Sequence, residues 1–265
     1  MYTYCGNNPI MFWDPWGLER VVLSAGAYNN NKDKKYQFEF IDTALKQIEL
    51  WLEEGIDPSE IGWLITNLGW SDQQITDIEE AASSYGVNFT WINGVDDITS
   101  YINTGGLDGS ETDTITHFSV FSHGLKDNGG TIALGYGHDT TKNLSWGISD
   151  LDNLNASAFD KTISWFYSCR TGRAGGGKSF AHHWANLTNG ATYAVLGING
   201  RTDYSYINGG PIEKAFSDKR ATWKEQRGSY DKPGASYQLP GLSLPGSGWG
   251  LFTPGLKYAL PVVGH

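Results

Sequence analysis

Apolar positions along this chain fall into short β-branched and aromatic runs separated by stretches of helical spacing. Val21-Val22-Leu23-Ser24-Ala25-Gly26-Ala27 reads as a first strand. Residues 36–54 then place apolar side chains at Phe38, Ile41, Ala44, Leu45, Ile48, Trp51 and Leu52, which is helical spacing, with Gly55 to close it. Ile61 to Thr66 predicts a second strand. Ser71 with Gln74 three residues later forms a capping box for a helix running to about Tyr85. Val87 to Ile92 is a third strand and Asp96 to Ile102 a short helix. Ile115 to Gly124 follows as a longer strand, and Thr131 to Gly135 as a small hairpin or an edge strand. A short helix is expected over Ile148 to Leu154, a strand over Thr162 to Arg170, a helix over Lys178 to Leu187 ended by Asn189-Gly190, and a strand over Thr192 to Gly197. Strands alternating with helices predict an α/β fold, a mainly parallel sheet covered on both faces. From about residue 225 the chain turns to Gly, Pro, Ser and Tyr without periodicity, as an ordered surface wrap or a flexible tail, and both remain open. No internal repeat is visible.

Composition narrows the classes. With 265 residues the chain is one large domain, or one domain with appendages, and long enough for a real core. Eleven Trp and fourteen Tyr against two Met predict a rigid, aromatic-rich core. A formal net charge of −10 argues against nucleic acid or an anionic membrane surface as partner. No run approaches the roughly 20 apolar residues of a membrane span, and the amino terminus lacks the charged and apolar regions of a signal peptide. Cys5 and Cys169 are the two cysteines. They do not make a secreted disulfide framework, and both are expected as free thiols in a reducing compartment.

Two of the strand-like runs share a design. Ile115-Thr116-His117-Phe118-Ser119-Val120-Phe121-Ser122-His123-Gly124 and Thr162-Ile163-Ser164-Trp165-Phe166-Tyr167-Ser168-Cys169-Arg170 are both apolar and both end in a reactive side chain. Ligands of open parallel sheets bind outside the carboxyl ends of the strands, so His123 and Cys169 are expected at one edge. A Cys with a His in reach is the minimal equipment for thiolate attack on an acyl carbon. Either residue alone at the end of a buried strand is usually part of the core; the joint pattern singles them out. His117 shares the side-chain face of His123 but lies about 20 Å back along an extended strand, and reads as structural. His182 and His183 offer no metal-ligand spacing, and neither metal nor cofactor is expected. Gly172-Arg173-Ala174-Gly175-Gly176-Gly177-Lys178-Ser179 does satisfy the phosphate-loop pattern between a strand and a helix. It lacks a Walker B aspartate, because Val195-Leu196-Gly197-Ile198-Asn199 ends in Asn. A nucleotide-binding enzyme is therefore one alternative, and a non-catalytic binding domain on the same fold is another.

Two resemblances add to this reading. Tyr2-Thr3-Tyr4-Cys5-Gly6-Asn7-Asn8-Pro9 followed by Asp14-Pro15-Trp16-Gly17-Leu18 resembles the end of the core of Rhs/YD-repeat proteins. That resemblance implies a carrier shell upstream, self-cleavage directly after Leu18 with Asp14 taking part, and a toxin domain from residue 19 onward. Residues upstream that assist the cleavage are not in this chain. It further implies delivery into the cytoplasm of a target cell by a dedicated secretion system, and a cognate immunity protein. The His-Gly and Cys blocks, 46 residues apart, resemble those of the caspase-like (clan CD) cysteine peptidases. This second resemblance covers residues 20 to about 205 in element order and implies a three-layer α/β/α sandwich. It also implies His123 as general base and acid, Cys169 as nucleophile, and the backbone N–H groups of Gly124 and Cys169 as oxyanion donors. Arg170 would shape the pocket rim, and Asp203 is the one acidic residue near the place where members that cut after Arg or Lys keep a carboxylate. The expected organisation is a stub over residues 1–18, a peptidase domain over 19–225 acting on a protein substrate, and a Gly/Pro-rich wrap or tail over 226–265.

Overall fold

The computed structural model describes residues 18–27, 38–105, 114–125, 130–135, 142–172, 179–196, 249–256 and 259–261. In chain order they form β1 (Leu18–Ser24), α1 (Glu39–Glu53), β2 (Ile61–Thr66), α2 (Asp72–Tyr85), β3 (Asn88–Ile92), α3 (Val95–Asn103), β4 (Thr114–Phe121), β5 (His123–Leu125), β6 (Thr131–Ala133), β7 (Ser145–Trp146), β8 (Phe159–Tyr167), α4 (Phe180–Thr188), β9 (Thr192–Val195), β10 (Trp249–Phe252) and β11 (Leu260–Pro261). Short 3-10 turns fill some of the connections, among them Ile148–Asn153 where a short helix is expected from the pattern.

Eight strands make one sheet in the order β11-β10-β9-β8-β4-β1-β2-β3. Pairings among β3, β2, β1, β4, β8 and β9 are all parallel, while β10 and β11 close one edge antiparallel. The fold is therefore α/β with a mainly parallel sheet. Its two faces are separated by the side-chain period of two. Val22, Trp63, Ile65, Phe121 and Tyr167 face α1 and α2, whose Ile41, Leu45, Ile48, Trp51, Ile78 and Ala82 complete that layer. Val21, Leu23, Leu64, Phe118, Val120 and Phe166 face α3 and α4 with Ile98, Ile102, Phe180 and Trp184. Helices on both faces give three layers. A second, three-stranded antiparallel sheet, β5-β6-β7, adds Ile132 and Trp146 to the α3–α4 side.

Local chemistry sets the element ends. Ser71 Oγ accepts from the Gln74 N–H at 3.4 Å, and Gln74 Oε1 accepts from the Ser71 N–H at 2.9 Å, so both bonds of the expected capping box exist. The same helix stops at Gly86 with φ +72°, and α4 stops at Asn189 with φ +50°, both left-handed caps that release the chain toward the next strand. Part of the Gly/Pro-rich carboxyl-terminal stretch is sheet: β10 pairs with β9 from Trp249↔Val195 to Phe252↔Thr192, and β11 pairs with β10. Pro261 sits on the outermost strand, where a missing N–H leaves no central ladder bond unmade.

Trp184 is the hub of the α4 side. It is fully buried, lies 4.9–5.5 Å from the ring centroids of Phe118, Trp146, Phe159 and Phe166, and donates from Nε1 to Ser164 Oγ at 2.8 Å. Trp184→Ala is expected to lower unfolding free energy by about 3–5 kcal/mol in a urea titration. Ser71→Ala should cost about 1 kcal/mol in the same assay, since one capping bond is lost and no cavity opens.

Candidate active site

The two strands carrying the candidate chemistry are neighbours. β4 and β8 run parallel in the register His117↔Ile163, Ser119↔Trp165 and Phe121↔Tyr167. Both strands end at that last pair, one residue after which comes a serine on each side. Ser122 Oγ and Ser168 Oγ are hydrogen-bonded at 2.5 Å, and both side chains are buried. The next residues are His123 and Cys169. Beyond β1 the chain steps to β2 and β3 on one side, then returns to β4 on the other, so the direction of winding reverses between β1 and β4. Carboxyl ends at such a switch point are where open α/β sheets leave a crevice.

His123 does not continue β4. It opens β5, which pairs with β6 in the register His123↔Ala133, Gly124↔Ile132 and Leu125↔Thr131. The expected single strand over Ile115 to Gly124 is thus two strands in two sheets, broken at Ser122. Ser122 Oγ also donates to the His123 carbonyl at 3.2 Å, which holds the break. Likewise β8 starts at Phe159 and stops at Tyr167, so Ser168, Cys169 and Arg170 form a turn rather than the end of a strand.

That turn is fixed from several directions. A Cβ on Gly124 would lie 1.6 Å from the Cys169 carbonyl oxygen and 2.7 Å from its nitrogen, so the β5 backbone passes directly against the Cys169 main chain. Glycine is needed there because any side chain would collide with the Cys169 backbone. Gly130, with φ +99°, does the same one residue on: its Cβ would meet the Arg170 carbonyl oxygen at 2.3 Å. Arg170 itself is left-handed at φ +67°. Thr171 Oγ1 donates to the Ser168 carbonyl at 2.9 Å, Gly172 N–H to Val195 at 2.9 Å, and Ala181 N–H to Thr171 at 3.0 Å.

The electrostatics leave both reactive groups neutral. His123 packs edge-on to Phe40 with centroids 5.1 Å apart, and burial lowers its pKa to about 4. Burial pushes the Cys169 thiol above its usual range, and the Arg170 charge and a hydrogen bond to the residue's own backbone offset this in part. Cys169 and His123 are each partly buried as residues, and the His123 Nε2 atom itself is buried. His117 belongs elsewhere. It lies between Trp51 at 6.1 Å and Trp165 at 6.0 Å, and burial together with the Arg20 charge lowers its pKa to about 4. It is a packed ring within the α1 layer, in keeping with the structural role expected of it.

Of the other expected site residues, Leu18 opens β1 opposite Thr114 and is 39% exposed. Asp14, Asp203 and Lys178 lie outside the described residues. Gly172 and Ser179 bound the phosphate-loop pattern. Ser179 Oγ is the N-cap of α4, accepting from the His182 N–H at 3.2 Å. Among the described residues no three His, Cys, Asp or Glu side chains gather as a metal site. Ser122, Ser168 and Gly130 are the positions that pattern reasoning misses. Their one sequence signal is the shared serine before each reactive residue, Phe121-Ser122-His123 and Tyr167-Ser168-Cys169. No family model, curated protein or solved structure matches this chain.

Gly124→Ala is expected to destabilise the fold by more than about 2 kcal/mol, because the added methyl has no space beside Cys169. Gly147→Ala, whose Cβ would find its nearest neighbour at 3.7 Å, should stay within about 0.5 kcal/mol. The lowered histidine pKa values fix a pH dependence as well. Below pH 6.5 the unfolded chain binds protons that the folded His117 and His123 refuse, so stability is complete above about pH 6.5 and drains away toward pH 4. For His123 the loss is of order 3 kcal/mol, and urea midpoints measured from pH 7 to pH 4 should fall accordingly and fall less in His123→Gln.

Proposed function

We propose that this chain is a cysteine endopeptidase, delivered as the effector end of an Rhs protein and acting on proteins in the cytoplasm of a target cell. The observation that supports the enzymatic part is the packing of Gly124, the residue after His123, on the Cys169 main chain. Cys169 is the nucleophile and His123 the general base and acid. The Cys169 sulfur attacks the scissile carbonyl carbon while its proton passes to the imidazole. The backbone N–H groups of Gly124 and Cys169 are the candidate donors to the oxyanion. Collapse of the tetrahedral intermediate breaks the C–N bond, and the imidazolium returns the proton to the leaving amine. Water then attacks the thioester, giving its proton to His123, and the carboxylate product leaves as the thiol is restored.

The delivery part rests on the motif over residues 2–18. It is compatible with the start of β1, since cleavage after Leu18 would cost the sheet only the Leu18↔Thr114 pairing. Glu19, 2% exposed and hydrogen-bonded to the Tyr101 hydroxyl, would remain to hold the strand's beginning. A carrier shell upstream and an immunity protein are the partners this reading implies.

The test is expression of residues 19–265 in a bacterial or eukaryotic cytosol with proteomics of new amino termini. New termini and toxicity are expected with the parent, disappearance of both with Cys169→Ala, and a loss of roughly 10²–10⁴-fold in cleavage rate with His123→Ala. Toxicity undiminished by Cys169→Ala sinks the peptidase. Activity lost in Lys178→Ala but kept in Cys169→Ala would assign a nucleotide-dependent enzyme instead. Because His123 stays neutral down to about pH 4, the acid limb of kcat/KM on a peptide substrate should be centred near pH 4, well below the ordinary imidazole value of 6.5.

A further inference from the structure

Arg170 occupies an expensive position. A non-glycine residue at φ +67° costs on the order of 1 kcal/mol, and Asn would bear that conformation with less strain. The turn has no freedom to relax it, since Gly130 blocks the Arg170 carbonyl and Thr171 is bonded on both of its sides. Yet the side chain gains little from its neighbours. Among the described residues it forms no ion pair, and its Nε is buried without a hydrogen-bond partner. The charge is instead felt by the adjacent thiol. An unneutralised guanidinium, held by a strained backbone beside a nucleophile, is placed for its field.

We propose that Arg170 is a positioning residue for the nucleophile: its fixed positive charge, rather than an imidazolium on His123, stabilises the Cys169 thiolate as it forms. This rests on reading Cys169 as the nucleophile, and it adds a division of labour within that site. His123 accepts the thiol proton as a neutral base, and Arg170 holds the negative charge left on sulfur. Among the described residues Arg170 is the one whose charge acts on the thiol, while His123 precedes Gly124, whose backbone packs on the Cys169 main chain. The imidazole at rest carries none.

The experiment is alkylation of the 265-residue chain by iodoacetamide from pH 5 to pH 10, followed by mass spectrometry at the Cys169-bearing peptide. It needs no peptidase activity, so its outcome is separate from that of the cleavage test. Arg170→Gln, which keeps length and backbone strain but removes the charge, should raise the midpoint by about one unit, making alkylation roughly tenfold slower below both midpoints. Arg170→Lys should restore the parent midpoint. His123→Asn should not raise it. Should Arg170→Gln fail to fold, Arg170→Asn makes the same comparison in a residue suited to the left-handed turn. A midpoint unchanged in the folded charge-removed variant overturns the proposal. So does a rise in His123→Asn as large as that in Arg170→Gln, because the stabilising charge would then be the imidazolium.

Discussion

Parallel pairing of β4 with β8 is the constraint on which the candidate site depends. The pairing places Phe121 opposite Tyr167, and everything beyond follows from where the strands stop. Ser122 meets Ser168, His123 and Cys169 come next, and Gly124 lies against the Cys169 backbone. The register is in turn secured by burial. Phe118, Val120 and Phe166 go to the α3–α4 layer, while Phe121 and Tyr167 stack at 4.6 Å in the α1–α2 layer. A slip of one residue on either strand would exchange these faces and put Ser119 or Ser164 where Phe rings now pack. The hydrophobic pattern that makes the core therefore also aligns the thiol-bearing turn with the imidazole-bearing strand.

Much of this was legible in the residues, and the legible parts share a cause. β2 spans Ile61 to Thr66 as expected, because an uninterrupted apolar run between turn residues leaves a fully buried strand as the consistent choice. The α2 start was readable from Ser71 and Gln74, since a capping box is a local hydrogen-bond pattern. Features that depend on distant partners were not readable. Nothing in Ser122-His123-Gly124 says that this tripeptide leaves the main sheet, because its partner is Thr131–Ala133. The start of β8 was hidden by Asp160 and Lys161, polar residues that sit exposed at its beginning. β10 is four residues with a glycine, and it is a strand because β9 offers it an open edge.

Gly124 is defined by what surrounds its backbone. A side chain at this position has no room. In the fold, the space is taken by the Cys169 carbonyl. The residue is fixed by packing before any substrate arrives, and this makes it a better marker of the His–Cys juxtaposition than of substrate approach. The same distinction separates the two buried histidines. His117 and His123 are both lowered to about pH 4 by burial, so the perturbation alone does not mark a site. One ring is closed in by Trp51 and Trp165, and the other packs edge-on to Phe40, just before the glycine whose backbone meets that of Cys169.

Neutral forms are the less costly way to bury the Cys169 thiol and the His123 imidazole, because charges lose their hydration when water is excluded. Under the proposed mechanism the cost would fall at the moment of attack, when proton transfer would create a thiolate and an imidazolium in the same partly buried space. Three elements surround the thiol-bearing residue: the Arg170 guanidinium, whose charge acts on the thiol, and the main chains of Gly124 and Cys169, which pack on one another. All three are held by backbone rather than by flexible side-chain contacts. The left-handed turn fixes the first, and the glycine contact fixes the other two. Under the proposed mechanism such a site would be idle at rest and would favour charge only when a reacting carbonyl completed it.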